Sequence, residues 1–295
     1  DAFRRGGESP VRNQHSIPGS DRDDITLLQM PAWDQKGDFG VKLATVAPSN
    51  AALGHPTLHG VYVLFSGATG IPLAILDAGA LTARRTAAAS ALASRYLSRP
   101  DSKTLLMIGT GRVARQLIAA HCAVRTLEEV RIWGRDATRA EEAAEQASRE
   151  TGTACVCVPD VETGAAGADI ISSATPAENP LLRGEWVGPG THVDLVGAYK
   201  PTMCEADPEL IGKADQVFVD TIEGAKDEAG DLTQAAQAEK FSFDEIAGDM
   251  YRMSSQDAIL RNNQEEITLF KSVGAALQDL AAAQLCVLQL QVRSG

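Results

Sequence analysis

Ser102-Lys-Thr-Leu-Leu-Met-Ile-Gly-Thr-Gly-Arg-Val-Ala-Arg-Gln-Leu-Ile-Ala-Ala120 reads as a buried β-strand, a tight glycine turn and the start of a helix. Such a turn lets backbone N–H groups at a helix N-terminus meet a pyrophosphate. Its core, Gly109-Thr110-Gly111-Arg112-Val113-Ala114, has the form G-x-G-x-x-A. The first glycine permits the turn and the second lets the backbone approach the phosphates. The third position needs only a small side chain for helix–strand packing, and Ala114 supplies it. The strand before and the helix after are the context that turns a weak motif into a dinucleotide site. These six residues are the first candidates for cofactor contact.

Downstream, strand and helix patterns alternate. Strand patterns lie at 103–108, 129–133, 154–158, 169–173, 192–196 and 216–220. Helical patterns lie at 111–124, 137–150, 205–212 and 243–249. This alternation predicts a parallel sheet covered on both faces, a Rossmann domain over residues 101–263. The strand at 129–133 ends at the expected adenosine ribose, where Gly134-Arg135-Asp136 follows. Gly134 leaves room, and the Arg135 guanidinium offers a fork for a 2′-phosphate. That favours NADP(H), with NAD(H) as the alternative through Asp136. Ala174-Thr175-Pro176 follows the fourth strand, and the Thr175 hydroxyl reads either as a cofactor contact or as a turn cap.

Upstream, residues 1–100 read as an α+β unit. Short β-type runs at 25–32, 40–46, 59–66 and 71–76 are separated by turn clusters such as Pro48-Ser49-Asn50. Thr82 is placed to cap a helix over 83–97. A helical Ala/Leu/Gln pattern spans 264–290, beyond the last strand. It can return to the first domain and make that domain discontinuous, as 1–100 plus 264–295. The fold class is therefore α/β: a dinucleotide-binding domain and a discontinuous α+β domain facing it, where a substrate belongs.

The net charge of −12 argues against a nucleic-acid partner, which needs a basic face. No apolar run approaches the length of a membrane span, roughly 20 residues. The start, Asp1-Ala-Phe-Arg-Arg-Gly-Gly7, has no signal-peptide core, and cytoplasmic residence is expected. The five cysteines form no C-x-x-C pair, so neither a zinc nor a redox framework is expected. No metal site is expected either, because Pro56 after His55 and the β-branched run after His59 spoil that pair.

Several motifs recur together in order. Val41-Lys42-Leu43 precedes Pro48-Ser49-Asn50, and Leu81-Thr-Ala-Arg-Arg-Thr-Ala-Ala-Ala-Ser90 precedes the linker. Asp194-Leu-Val-Gly-Ala198 is followed by Pro201 and Glu205, and Val219-Asp220 by Glu228-Ala-Gly-Asp-Leu232. Phe270-Lys-Ser-Val-Gly274 opens the last helix. This set resembles the ornithine cyclodeaminase/mu-crystallin family over about residues 8–285.

The resemblance implies a Rossmann domain plus a discontinuous domain that forms the substrate pocket and a homodimer contact. It implies hydride transfer between a nicotinamide and the α-carbon of a small amino or imino acid. Three cations match the family's carboxylate clamp: Arg12 in Pro10-Val-Arg12, Lys42, and Arg85 in Arg85-Thr-Ala-Ala. An α-carboxylate beside a reacting imine needs several cationic donors to fix its orientation. With the helix starting near Thr82, Arg85 stands in its first turn, where the dipole disfavours a cation. Val196 and Gly197 match cofactor-contacting positions. Ser272 reads either as a close approach to the cofactor or as helix packing.

The family's cyclodeaminases carry an aspartate at the position matching Tyr199. A phenol, with a reference pKa of about 10, cannot act as a carboxylate at neutral pH. That favours a substrate with no distal ammonium, and Δ1-pyrroline-2-carboxylate or its six-membered homologue is the expected one. The imine nitrogen takes a proton from Lys42, Tyr199 or water; the residues alone do not choose. Ornithine cyclodeamination, alanine dehydrogenation and non-catalytic NADPH binding are the competing readings.

Overall fold

The computed structural model describes residues 2–19, 23–35, 37–255 and 260–294. Asp1 and Gly295, the outer limits of the expected first domain, lie outside the described residues. The chain divides into two compact units, residues 1–85 with 275–295, and residues 86–274.

The first unit opens with β1 (Asn13–Ile17), β2 (Ile25–Trp33), β3 (Phe39–Val46), β4 (Leu58–Phe65) and β5 (Pro72–Asp77). They form one antiparallel sheet in chain order. Period-two alternation sorts its side chains. Leu28, Met30, Ala32, Ala44, Val46, Tyr62 and Leu64 are buried on the inner face. Lys42 shares that face, in register with Met30 and Tyr62. The opposite face exposes Trp33, Phe39, Leu43, Val61 and Ile75.

Helix α1 (Ala78–Leu97) follows directly, one turn earlier than the sequence suggests. Asp77 caps it instead of Thr82, through a 2.5 Å bond from the Ala80 N–H to Oδ1. Thr82 is therefore helical, and Arg85 sits beyond the first turn, where the dipole argument against a cation no longer applies.

The second unit runs through β6 (Thr104–Ile108), α2 (Arg112–Val124), β7 (Glu129–Trp133), α3 (Ala137–Thr151), β8 (Ala154–Cys157), α4 (Val161–Ala165) and β9 (Ile170–Ser173). It continues with β10 (His192–Leu195), α5 (Pro208–Lys213), β11 (Gln216–Val219), α6 (Ile222–Glu228), α7 (Gly230–Gln237), β12 (Ile246–Gly248), α8 (Met250–Met253) and β13 (Thr268–Lys271). The eight strands are parallel, in the order β12-β11-β13-β10-β9-β6-β7-β8. Strand order reverses between β6 and β9, which is the switch point where doubly wound sheets bind dinucleotides.

Two expectations need correction. The 243–249 helix is a 3₁₀ turn at Phe243–Glu245 followed by β12. The 264–290 helix begins only at α9 (Ala276–Ser294), because 268–271 is a strand. Thr268-Leu-Phe-Lys271 is buried on both faces between β10 and β11, and such a strand shows no alternation. The first unit ends at residue 85 and regains the chain at residue 275, where the sequence reading has 100 and 264. Helix α9 lies against β2, β3 and β4.

Candidate functional site

Lys42 is the one charged residue that β3 turns to the inner face, and it is 3% exposed. Its Nζ donates to Asp279 Oδ2 on α9 at 2.7 Å. Arg85 is buried too; its Nε donates to Asp279 Oδ1 at 3.0 Å and its terminal nitrogen to Gln278 Oε1 at 2.6 Å. The structure thus brings two of the three predicted clamp cations onto one carboxylate. Arg12 is close enough for its charge to act on Lys42. Burial, with the Arg85 and Arg12 charges, pulls the Lys42 ammonium down to about 8 against the opposing pull of Asp279. Lys42 and Arg85 thus share a single buried carboxylate, Asp279. The buried Tyr62 hydroxyl lies over Gly40, where a Cβ would come within 2.2 Å of it. Burial pushes the Tyr62 phenol up.

In the second unit, Gly109 has φ +122°, a conformation that favours glycine. A Cβ there would meet the Ala174 carbonyl at 2.8 Å. Gly111 is the N-cap of α2, with no side-chain cap bond and nothing within 4 Å of a built Cβ. The helix therefore presents backbone N–H groups to open space, which fits a pyrophosphate. Thr110, Arg112 and Val113 share this turn, with Ala114 buried beneath it. The space above Gly134 is taken by the Thr110 side chain, since a Cβ would lie 2.7 Å from Thr110 Cγ2. Arg135 is exposed at the end of β7. Asp136 caps α3, accepting from the Arg139 N–H at 3.2 Å.

The loops after β9 and β10 meet at Glu205. Its Oε1 accepts from Ser173 Oγ (2.6 Å), the Thr175 N–H (2.7 Å) and Thr175 Oγ1 (3.0 Å). Its Oε2 accepts from the N–H groups of Gly197 (2.6 Å) and Ala198 (3.2 Å). The Thr175 hydroxyl thus faces Glu205. Tyr199 is half-buried, with Lys200 Nζ 5.9 Å from its ring centre. Ser272 is buried, and its hydroxyl donates to Asp220 Oδ2 at 2.9 Å. The same oxygen takes the N–H groups of Val273 and Gly274 and fixes the turn that leads to α9.

The motif reading missed Asp279 and Gln278, and it used Glu205, Asp231 and Lys271 only as landmarks. A signal was present. Asp279 interrupts Ala275-Ala-Leu-Gln-Asp-Leu-Ala-Ala-Ala283, and Lys271 interrupts Ile267-Thr-Leu-Phe-Lys-Ser-Val273. A charge inside an apolar run is buried at the cost of needing a partner. Among the described residues, no group of three or more His, Cys, Asp or Glu is placed to hold a metal ion, and no helix is long and apolar enough to cross a membrane.

Comparison with known proteins agrees with this architecture. The profile of the ornithine cyclodeaminase/mu-crystallin family matches residues 1–291. An uncharacterized protein of Schizosaccharomyces pombe is 45% identical over 287 residues, covering 94% of this chain and 86% of the relative. The Delta(1)-pyrroline-2-carboxylate reductase of Colwellia psychrerythraea is 37% identical over 292 residues, covering 98% and 92%. The structure of the Thermococcus litoralis Delta(1)-pyrroline-2-carboxylate reductase with NADH and L-proline superposes with a TM-score of 0.93 at 30% identity, covering 99% of this chain and 91% of that one. A Rossmann unit, a discontinuous sheet unit with its buried cations, and a match over nearly the whole length lead to one conclusion: the chain belongs to the ornithine cyclodeaminase/mu-crystallin family.

Proposed function

We propose that this chain is an NAD(P)H-dependent imine oxidoreductase. It reduces a small cyclic imino acid, Δ1-pyrroline-2-carboxylate or Δ1-piperideine-2-carboxylate, to L-proline or L-pipecolate. The observation that carries the reading is the buried Lys42–Arg85–Asp279 cluster, a preformed cationic seat for one carboxylate. Similarity to reductases of this substrate class supports it. Tyr199, where cyclodeaminases carry a carboxylate, argues against ornithine. The bound nicotinamide supplies hydride to the C=N carbon. The Gly109–Ala114 turn, with Gly134, Arg135, Thr175, Val196, Gly197 and Ser272, forms or supports its seat. Arg12, Lys42 and Arg85 orient the substrate carboxylate and, with it, the ring. Lys42 is protonated below about pH 8, so it can pass a proton to the imine nitrogen near neutrality.

The deciding assay follows NADPH and NADH oxidation with the two cyclic imino acids, pyruvate plus ammonia, and ornithine. Consumption with the cyclic imines is expected; proline formation from ornithine with ammonia release would overturn the reading. NADPH is the favoured cofactor, because Arg135 is exposed beside the expected ribose and Asp136 is engaged as a cap. Arg135→Ala is expected to raise the NADPH Michaelis constant about tenfold and leave that for NADH unchanged, the effect of losing one charge-assisted pair. Equal constants for variant and parent would refute the preference.

A pH effect follows from Lys42. Protonated Lys42 is the competent form for both tasks, and its ammonium is lost as pH rises through about 8. The kcat/KM for imine reduction is therefore expected to fall about tenfold per pH unit above that value. A Lys42→Arg variant should lack that limb; a limb of the same position in the variant assigns the titration elsewhere.

The working form is a homodimer built on the outer sheet face. Leu43, Val61, Leu73 and Ile75 are 39–73% exposed there, an apolar area that a monomer rarely leaves in water. Light scattering should give twice the 31.2 kDa chain mass, and a monomer at micromolar concentration would exclude the assignment.

A further inference from the structure

Glu205 is fully buried, yet it lies on no regular element, and the motif that contains it assigns it no role. Its carboxylate is bonded from five directions, and the five donors come from two loops. Three belong to Ser173 and Thr175 at the end of β9, on Oε1, and two to Gly197 and Ala198 at the end of β10, on Oε2. One side chain therefore ties together the C-terminal edges of two neighbouring parallel strands.

Glu205 is itself anchored from behind. Its own N–H and that of Ala206 donate to Asp231 Oδ1 at 2.6 and 3.0 Å, and Asp231 Oδ2 is paired with Lys271 Nζ at 2.7 Å. All three charged groups are fully or almost fully buried. An arrangement this dehydrated is costly to build and resists change of shape. The fit between the loops is correspondingly tight. A Cβ on Gly197 would lie 2.0 Å from the Thr175 carbonyl oxygen and 2.7 Å from Glu205 Oε1.

The position of this strut gives it meaning. A dinucleotide at the switch point places its pyrophosphate on the turn after β6 and its adenosine toward β7. Its nicotinamide half then extends the other way, over the ends of β9 and β10. We propose that Glu205 is a positioning residue: it sets the separation of the 173–175 and 196–198 loops and so preorganises the seat of the nicotinamide half. It touches no reacting atom. This rests on the oxidoreductase reading above, and the loss of a strut is distinguishable from failure of that reading.

The test compares whole and half cofactor. Glu205→Gln keeps one oxygen but turns an NH2 group toward donors, so one loop loses its acceptor. NADPH affinity, read by its fluorescence on binding, is expected to fall about tenfold or more. Affinity for adenosine 2′,5′-bisphosphate, which fills only the adenosine side, should stay within twofold. In turnover, kcat should fall with a larger isotope effect from 4-deuterated NADPH, as hydride transfer becomes more rate-limiting. Glu205→Asp, too short to reach both loops, should not rescue. Equal loss of both ligands, or no loss of either, overturns the proposal. Should Glu205→Gln fail to fold, the Ser173→Ala/Thr175→Val pair removes two side-chain donors to Oε1 and is read by the same two affinities. It should weaken NADPH at least threefold and spare the bisphosphate; any other pattern counts against Glu205. The binding arms need no substrate, so a wild-type chain that binds NADPH but leaves cyclic imines untouched refutes the activity and not the strut.

Discussion

Asp279→Ala is expected to lower stability by about 3–5 kcal/mol, the usual cost of leaving buried charge without its partner. The carboxylate is fully buried and receives both Lys42 and Arg85. Removing it leaves two dehydrated cations side by side with no anion between them. A urea unfolding curve at pH 7 measures the loss, and a change below about 1 kcal/mol would show that water or another group compensates. A second readout is independent of folding. Asp279 is the group that holds the Lys42 ammonium up, so in its absence burial and Arg85 pull that group below about 8. In Asp279→Asn, which keeps the shape, the alkaline limb of the activity profile is expected to move toward lower pH. A limb that stays in place would detach Lys42 from the profile altogether.

Arg85→Met is expected to reduce kcat/KM for the cyclic imino acid by about a hundred- to a thousandfold, equivalent to roughly 3–4 kcal/mol at 1.4 kcal/mol per decade. The guanidinium supplies a planar fork that a carboxylate can meet with two bonds. Arg85→Lys should recover little, since an ammonium at that place lacks the fork. The Michaelis constant for the dinucleotide should not change, because the candidate cofactor residues all lie between 109 and 272. Steady-state kinetics with each substrate varied in turn gives the result. A loss shared equally by cofactor and imino acid, or a loss under fivefold, would remove Arg85 from the substrate clamp.

The parallel sheet was readable because β6, β7 and β9 are short strand patterns set among helices. The turn at Gly109 was readable because only glycine serves at φ +122°. Lys42 and Arg85 stood out through the motifs around them, and the structure pairs both with Asp279. Their counterion was not, because no local pattern links residue 42 to residue 279. The strand at 268–271 went unread because a strand buried on both faces has no period of its own to display. Glu205 was legible as a landmark and not as a strut, because its five donors come from segments 7 to 32 residues away. The helix start at Asp77 was missed for a local reason. Two capping residues, Asp77 and Thr82, compete within one turn and a half, and sequence alone does not rank them.

The bond between Lys42 and Asp279 spans 237 residues. At the ordinary pace of synthesis, about 5–20 residues per second, the lysine emerges roughly 10–50 seconds before its counterion. Throughout that interval the ribosome carries an N-terminal sheet whose inner face lacks α9 and whose lysine has no Asp279 to meet. The parallel sheet waits almost as long, because its strand β13 (Thr268–Lys271), which lies between β10 and β11, precedes Asp279 by only eight residues. Both units therefore close late: a chain that stops short of residue 268 lacks a central strand of the parallel sheet, and one that stops short of residue 279 lacks the counterion of Lys42 and Arg85.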